Sequence, residues 1–221
     1  MGTTQRSRDP QARSRERRLN DRQSDNSQIT TYRSTDVRNV GQAGIGPHSE
    51  AQTLELICRE LQLLMPSRYA DAIRLGAPYP EALRQKCDLC IGLTSKPAWA
   101  MEVKLLRFLG DNGKLNDNIV MHILSPYPAH RSALSDCMKL ASYTLGERKA
   151  IVIYGYSAPG WPLEPAIEAF EALARHEVSV GPRQSAGYQE LVHPVHQAGQ
   201  VFAWEIAALR RPARGQSSRR R

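Results

Sequence analysis

Apolar residues recur along the chain with two periods, one that predicts helices and one that predicts strands. In PHSEAQTLELICRELQLLM they return every three or four positions, which predicts an amphipathic helix starting near Ser49. Ser49 and Gln52 have capping-box spacing at its start. The predicted apolar face consists of Leu54, Ile57, Cys58, Leu61, Leu64 and Met65. Glu50 falls on this face at the first turn, where it either stabilises the helix dipole or belongs to a functional site.

Two β-rich runs follow this helix and predict a β-hairpin. KCDLCIGL (86–93) and AWAMEVKLLRF (98–108) are separated by the short segment TSKP. The stretch 66–85 before them contains three prolines and a glycine. It is therefore predicted to be a connector with at most one short element.

The second run of the hairpin places two charged side chains on one face. Alternation along a strand turns Glu102 and Lys104 to the same side. If the turn centres on residue 95, Asp88 faces Glu102 directly across the ladder, and a slip of one residue would remove this pairing. The opposite, core-facing side is formed by Met101, Val103 and Leu105.

Downstream of the hairpin, helical and extended patterns alternate. The polar segment GDNGKLNDN (110–118) is predicted to be an exposed loop, since it lacks the glycine position and closing Glu of an EF-hand. A helix is predicted from about 129 to 145 and a buried strand over 148–156. A second helix over 163–177 and a strand or helix over 201–209 follow. This order predicts a mixed α/β protein.

Positive charge is concentrated at the two ends of the chain. Residues 1–48 contain nine Arg against five acids, and 209–221 contain six Arg and no acid, whereas 49–208 has a net charge of −2. The ends have no apolar period, so we predict a disordered arm (1–46), one folded domain (47–209) and a basic tail (210–221). The arginines either add salt-sensitive affinity for nucleic acid or only maintain solubility.

Composition also bears on location. No run of about 20 apolar residues is present, which argues against a membrane partner, and the N-terminus lacks an apolar signal segment. An Arg- and Ser-rich transit peptide is the alternative, but acidic residues interrupt this one. Four cysteines do not form a disulfide framework in a chain of this length, so a cytoplasmic location is predicted.

Cys87 and Cys90 spell C-x-x-C, which suggests a redox pair or half a zinc site. No second pair stands at zinc-finger spacing, and the motif lies in a strand. Odd spacing on a strand is predicted to send the two thiols to opposite faces. Buried structural thiols are therefore the favoured interpretation.

The predicted pairing of Asp88 and Glu102 has a chemical consequence. Two carboxylates about 5 Å apart repel each other unless a cation compensates them, and together they can bind one divalent ion. Such an ion polarises a phosphoryl oxygen, and Lys104 beside it would stabilise the charge of a phosphoryl transition state. The alternative is that Glu102 and Lys104 form the solvated face of an edge hairpin.

With these residues, CDLCI…AWAMEVKLLR resembles the core of the PD-(D/E)XK nuclease superfamily. Asp88 matches the first acid of its motif, Glu102 the second and Lys104 the lysine, while Glu50 matches a helical acid less closely. Cys87 stands where the family has proline. The resemblance covers about 49–156 and implies a restriction-endonuclease-like α/β core, a central mixed sheet flanked by helices in the order αβββαβ.

The family further implies a function and a set of ligands. Catalysis would use Asp88, Glu102 and Lys104. Asp88, Glu102, Val103 and Glu50 would hold Mg²⁺, for which Mn²⁺ can substitute. The implied activity is phosphodiester hydrolysis in nucleic acid, specifically by a DNA endonuclease. A homodimer is a further expectation on symmetry grounds, since cutting both strands needs two sites.

Other polar residues offer further candidates. Arg131, Ser135 and Lys139 lie at i, i+4 and i+8 of the predicted helix after the hairpin, where they would contact phosphates or form a solvated face. Asp136 is a further candidate there. The histidines lack the spacing of a His-based nuclease motif. A non-catalytic nucleic-acid-binding or assembly protein on the same scaffold is the alternative function.

Overall fold

The computed structural model describes residues 49–117 and 120–208. Within these residues a seven-stranded mixed sheet is flanked by helices, which confirms the predicted α/β class. The predicted arm (1–46) and tail (210–221) lie outside the described residues.

Helices and strands alternate along this part of the chain. The helices are α1 (Glu50–Leu64), α2 (Pro66–Tyr69), α3 (Met121–Leu124), α4 (Ala133–Ser142) and α5 (Glu164–Glu177). The strands are β1 (Ile73–Tyr79), β2 (Ala82–Gly92), β3 (Pro97–Arg107), β4 (Arg148–Tyr156), β5 (Ser179–Val180), β6 (Gln184–Tyr188) and β7 (Gly199–Ala207). Among the described helices, none has the length and apolar content needed to span a membrane.

The sheet begins as an antiparallel meander and then becomes mixed. Its strand order is β1-β2-β3-β4-β7-β5, and β6 also pairs with β7. Strands β1 to β3 are antiparallel, whereas β3 and β4 are parallel. A parallel pair requires a crossover, and α3 and α4 lie in it. In the strand order, β3 and β4 form the middle of the sheet.

Both faces of the sheet are covered, because side chains alternate along the central strands. Ile151 and Ile153 pack with α4 and α5 in the largest core cluster. Val152 and Tyr154 point to the other face, where they pack in the cluster that contains Leu54 of α1. The site described below lies between these helical layers.

Several predicted boundaries hold and others do not. The strand predicted at 148–156 is β4, the hairpin strands are β2 and β3, and the segment predicted from 201 as a strand or helix is the strand β7, which ends at Ala207. The helix predicted at 129–145 is shorter, because Ser132 caps α4 and bonds the Ser135 N–H. The connector at 66–85 conceals β1, since an edge strand tolerates proline and glycine that a central strand would exclude.

The capping box of α1 is confirmed, but its predicted apolar face is only partly buried. Ser49 and Gln52 exchange both capping hydrogen bonds. Leu54 and Cys58 are buried, whereas Leu64 is 66% exposed. Ile57 and Met65 are also exposed. The predicted apolar face therefore holds at Leu54 and Cys58 and was wrong at Ile57, Leu64 and Met65.

Cys87 and Cys90 do not point to opposite faces, so that prediction was wrong. Both thiols are free and buried in one cluster, although Leu89 between them packs on the other side of the sheet. On a regular strand Cys87 and Leu89, two positions apart, would point to the same face. Because they point to opposite faces, the strand is irregular at Asp88. The β1 ladder skips Asp88 and the opposing Gly76, whose φ of 63° suits glycine.

Candidate active site

The candidate site lies where β2 and β3 separate. Their last registered pair on this side is Leu89 with Met101, in the register predicted from the sequence. The next positions, Asp88 and Glu102, are not part of the ladder, so the predicted direct pairing of these two residues was wrong: the strands separate there. Beyond the Leu89–Met101 pair, the Val103 N–H donates to Asp88 Oδ2 at 2.8 Å. The Asp88 carboxylate, rather than the backbone of a neighbouring strand, therefore accepts this N–H group of β3.

Glu50 binds the same edge of β3 from the start of α1. The Leu105 N–H donates to Glu50 Oε2 at 2.9 Å. Burial raises the pKa of Glu50, and the Lys104 ammonium and the Leu105 N–H partly offset that rise. The inward orientation predicted for Glu50 is confirmed. The carboxylates of Asp88 from β2 and Glu50 from α1 are therefore both fixed to β3, at Val103 and Leu105.

Lys104 is held among oxygen atoms. Its Nζ lies 2.8 Å from Asp136 Oδ2, 3.6 Å from Glu50 Oε1 and 3.4 Å from the Val103 carbonyl oxygen. Burial alone would lower the pKa of Lys104, but the nearby carboxylates of Asp136 and Glu50 outweigh burial and raise it. Lys104 is therefore a fixed cation at neutral pH and cannot accept a proton there.

A second lysine completes the network from α4. Lys139 Nζ lies 2.9 Å from Glu102 Oε1 and 3.0 Å from Asp136 Oδ1. Asp136 therefore bridges both ammonium groups, although its Oδ2 has no aligned hydrogen bond, so its contact with Lys104 is mainly electrostatic. Tyr79 OH donates to Glu102 Oε1 at 2.5 Å.

Glu102 is the most strongly perturbed acid of the network. The residue is 1% exposed. Burial, followed by the nearby carboxylates of Asp136 and Asp88, raises its pKa to about 9, against the opposing effects of Lys139 and Tyr79. Without a further cation, Glu102 is therefore mostly protonated at neutral pH.

This pKa predicts how the stability of the metal-free protein depends on pH. Between the ordinary value of 4.5 and about 9 the folded protein keeps a proton that the unfolded chain has lost. The free energy of unfolding should therefore fall as pH rises through this window. Glu102→Gln removes the titration, so at pH 9 this variant should be more stable than the wild type by several kcal/mol.

Urea unfolding in EDTA at pH 5, 7 and 9 measures the difference. Glu55→Gln, an exposed substitution on α1, is the control and should keep the wild-type pH dependence. A Glu102→Gln protein whose stability tracks the wild type at all three pH values would show that Glu102 is ionised throughout.

The predicted phosphate-binding face on the helix after the hairpin does not form as expected. Arg131 is exposed, precedes α4 and has a φ of 46°, so it is not aligned with the helical residues. Ser135 Oγ donates to the Ser132 carbonyl at the helix start. Only Lys139 of the three reaches the network. The physical reason is the N-cap at Ser132, which starts the helix after Arg131.

Two members of the network were ranked too low or missed from the sequence. Asp136 stands three residues before Lys139, a helical i, i+3 pair whose charges indicate contact. That spacing could have raised Asp136 from a further candidate to a central one. Tyr79 gave no such indication, because it ends a strand hidden in the proline-rich connector.

The chemistry of these residues fits a hard divalent cation. Four carboxylates (Glu50, Asp88, Glu102 and Asp136) lie near two ammonium groups, and burial together with the carboxylates of Asp136 and Asp88 raises the pKa of Glu102. Carboxylate and carbonyl oxygens are the donors that Mg²⁺ and Mn²⁺ prefer. No three His, Cys, Asp or Glu side chains within the described ranges are already arranged to hold a metal.

Comparison with known proteins adds no relative. No family model, no curated protein and no solved structure matches this chain.

Proposed function

We propose that this protein is a divalent-metal-dependent nuclease of the PD-(D/E)XK kind, and specifically a DNA endonuclease. The observation that carries the proposal is the convergence of Glu50, Asp88 and Lys104 at the point where β2 and β3 separate, with Glu102 joined to Lys104 through Lys139 and Asp136. Glu50, Asp88, Glu102 and Lys104 are the four positions that the motif resemblance selects.

The topology around the site supports the same proposal. A helix, an antiparallel three-stranded meander, a helical crossover and a parallel fourth strand follow one another from α1 to β4. This is the αβββαβ order expected of a restriction-endonuclease-like core. Because fold alone does not give activity, the polar residues at the strand split remain the stronger support.

Each residue has a defined role in the proposed reaction. Asp88, Glu102 and the Val103 carbonyl would hold Mg²⁺, with Glu50 at its side. When bound, Mg²⁺ supplies Lewis-acid catalysis at a phosphoryl oxygen. Lys104 keeps a positive charge beside this position and would stabilise the charge that develops on the phosphoryl group. Asp136 orients Lys104.

A second function is favoured by a different observation. The ammonium groups of Lys104 and Lys139 already occupy the space between the carboxylates. A network in which lysines already pair with the carboxylates of Glu50, Glu102 and Asp136 suits a non-catalytic nucleic-acid-binding or assembly protein. Calorimetric titration with Mg²⁺ and Mn²⁺ separates the two functions, since only the nuclease must bind the ion at the Glu102 site.

The charge distribution predicts how the terminal segments contribute to binding. Residues 1–46 and 210–221 contain fifteen arginines, whereas 49–208 has a net charge of −2. Removing both segments should weaken DNA binding and reduce the dependence of log K on log salt, by about 0.9 for each lost phosphate contact. Fluorescence anisotropy between 50 and 300 mM salt measures both slopes. Equal slopes for the full and trimmed chains would contradict a role of the termini in binding.

A further inference from the structure

A cleft of about 330 Å³ opens beside the candidate active site. It is lined by Glu50, Leu105, Arg107, Asn116, Asp117 and His122. Glu50 belongs both to this wall and to the network, because its carboxylate accepts the Leu105 N–H and lies 3.6 Å from Lys104 Nζ. Anything bound in the cleft is therefore next to the proposed reaction centre.

The lining of the cleft does not suit a bare phosphate backbone. A groove for phosphates alone is lined by cations, but here Arg107 stands with the carboxylate of Asp117 and the amide of Asn116. A carboxylate and an amide suit the amino and carbonyl groups at the edge of an unpaired base. Leu105 and the exposed imidazole of His122 offer surfaces for a base ring.

The loop that forms one wall is held in a defined conformation. The Asn116 N–H donates to the Phe108 carbonyl at 2.9 Å, and its side-chain amide donates to the Arg107 carbonyl at 3.4 Å. Arg107 Nη1 forms an ion pair with Asp111 at 2.8 Å. Asn116 and Arg107 are thus oriented before a ligand binds, which lowers the entropic cost of binding.

We propose that this cleft binds one unpaired nucleotide, with Arg107 on its phosphate and Asn116 and Asp117 at the edge of its base. The proposal rests on the nuclease function and specifies its substrate, which is nucleic acid with an unpaired nucleotide next to the cleaved bond. A base within a duplex would have to leave its stack and its pairing partner to enter, which costs free energy. A bulged, terminal or single-stranded nucleotide avoids that cost.

The test uses two DNA duplexes of equal charge and the full chain in EDTA, so that no cleavage occurs. One duplex carries a single bulged nucleotide, and the other carries an abasic nucleotide in the same bulge. Because the basic termini meet the same phosphates in both, a difference in Kd reports the base alone. The wild type should bind the bulged base about tenfold more tightly, as expected for one or two new hydrogen bonds.

The variants assign this difference to the cleft. Asn116→Ala should remove most of the preference for the base, whereas Arg107→Ala should weaken both duplexes about tenfold. Asn112→Ala is the control for Asn116, since it also removes one hydrogen bond within the loop. Arg148→Ala is the control for Arg107, because it removes an ion-paired arginine from the opposite end of the β3–β4 pair. Thermal melting confirms that each variant is folded.

Equal wild-type affinity for the two duplexes, or an unchanged preference in a folded Asn116→Ala protein, would overturn the proposal. The result is separable from nuclease activity. A base preference without Mg²⁺-dependent cleavage would support nucleotide binding in the cleft and contradict the nuclease function. Cleavage without a base preference would support the nuclease function and contradict nucleotide binding in the cleft.

Discussion

Asp88→Asn and Glu102→Gln are each expected to lower the cleavage rate about a thousandfold or more, the largest effect that the proposed site predicts. Each substitution removes one negative charge from the oxygen atoms that would hold the metal, so Mg²⁺ affinity should fall in parallel. Calorimetric titration with Mg²⁺ and a single-turnover cleavage assay measure the two effects.

The fold should survive both substitutions. The amide oxygen that Asp88→Asn introduces can still accept the Val103 N–H, and the one that Glu102→Gln introduces can still accept the Tyr79 hydroxyl. Glu171→Gln is the matched control, because Glu171 is a buried acid outside the network that accepts a hydrogen bond from Trp204. It should leave cleavage unchanged. An Asp88→Asn protein that binds Mg²⁺ and cuts normally would show that the site is misplaced.

Lys104→Ala is expected to separate metal binding from catalysis. The ammonium group lies beside the carboxylates and is not a metal ligand, so its removal should preserve or strengthen Mg²⁺ binding. The loss of a positive charge next to the phosphoryl group should lower the rate by about 10²–10³. Rates measured at saturating Mg²⁺ isolate this effect.

The control for Lys104 is another lysine with little exposed surface. Lys149→Ala removes an ammonium group that donates to the Tyr143 carbonyl outside the network, and it should cut at the wild-type rate. If Lys104→Ala also cuts at that rate, the charge must come from elsewhere. Lys139, which lies 2.9 Å from Glu102 Oε1, would then be the residue to replace.

Local patterns predicted the central part of the fold. The capping box at Ser49, the buried strand at 148–156 and the hairpin register from Leu89 to Ile91 depend on nearby residues and on turn length, and these agree with the structure. The predicted pairing of Asp88 with Glu102 fails, because the strands separate there. β1 could not be predicted, because its stability comes from pairing with β2 at the sheet edge. β5 and β6 are similarly short strands that exist through β7.

The distinction between local patterns and tertiary contacts also explains which site residues could be predicted. Alternation along β3 placed Glu102 and Lys104 on one side, and helical periodicity placed Glu50 inward; both interpretations required one element only. The contact of Tyr79 with Glu102 joins positions 23 residues apart, and that of Lys139 with Glu102 depends on how α4 packs on the sheet. The irregularity at Asp88 that brings Cys87 and Cys90 together also depends on tertiary packing.

Metal-dependent cleavage by the wild-type chain tests the central claim most directly. The purified protein is incubated with plasmid, linear duplex, bulged duplex and single-stranded DNA, in Mg²⁺, Mn²⁺ or EDTA, beside an Asp88→Asn protein purified in the same way. We expect cleavage of at least one substrate by the wild type in Mg²⁺ or Mn²⁺, and none in EDTA or with the variant. No cleavage of any substrate by a folded wild type, or equal cleavage by Asp88→Asn, would contradict the proposed active site.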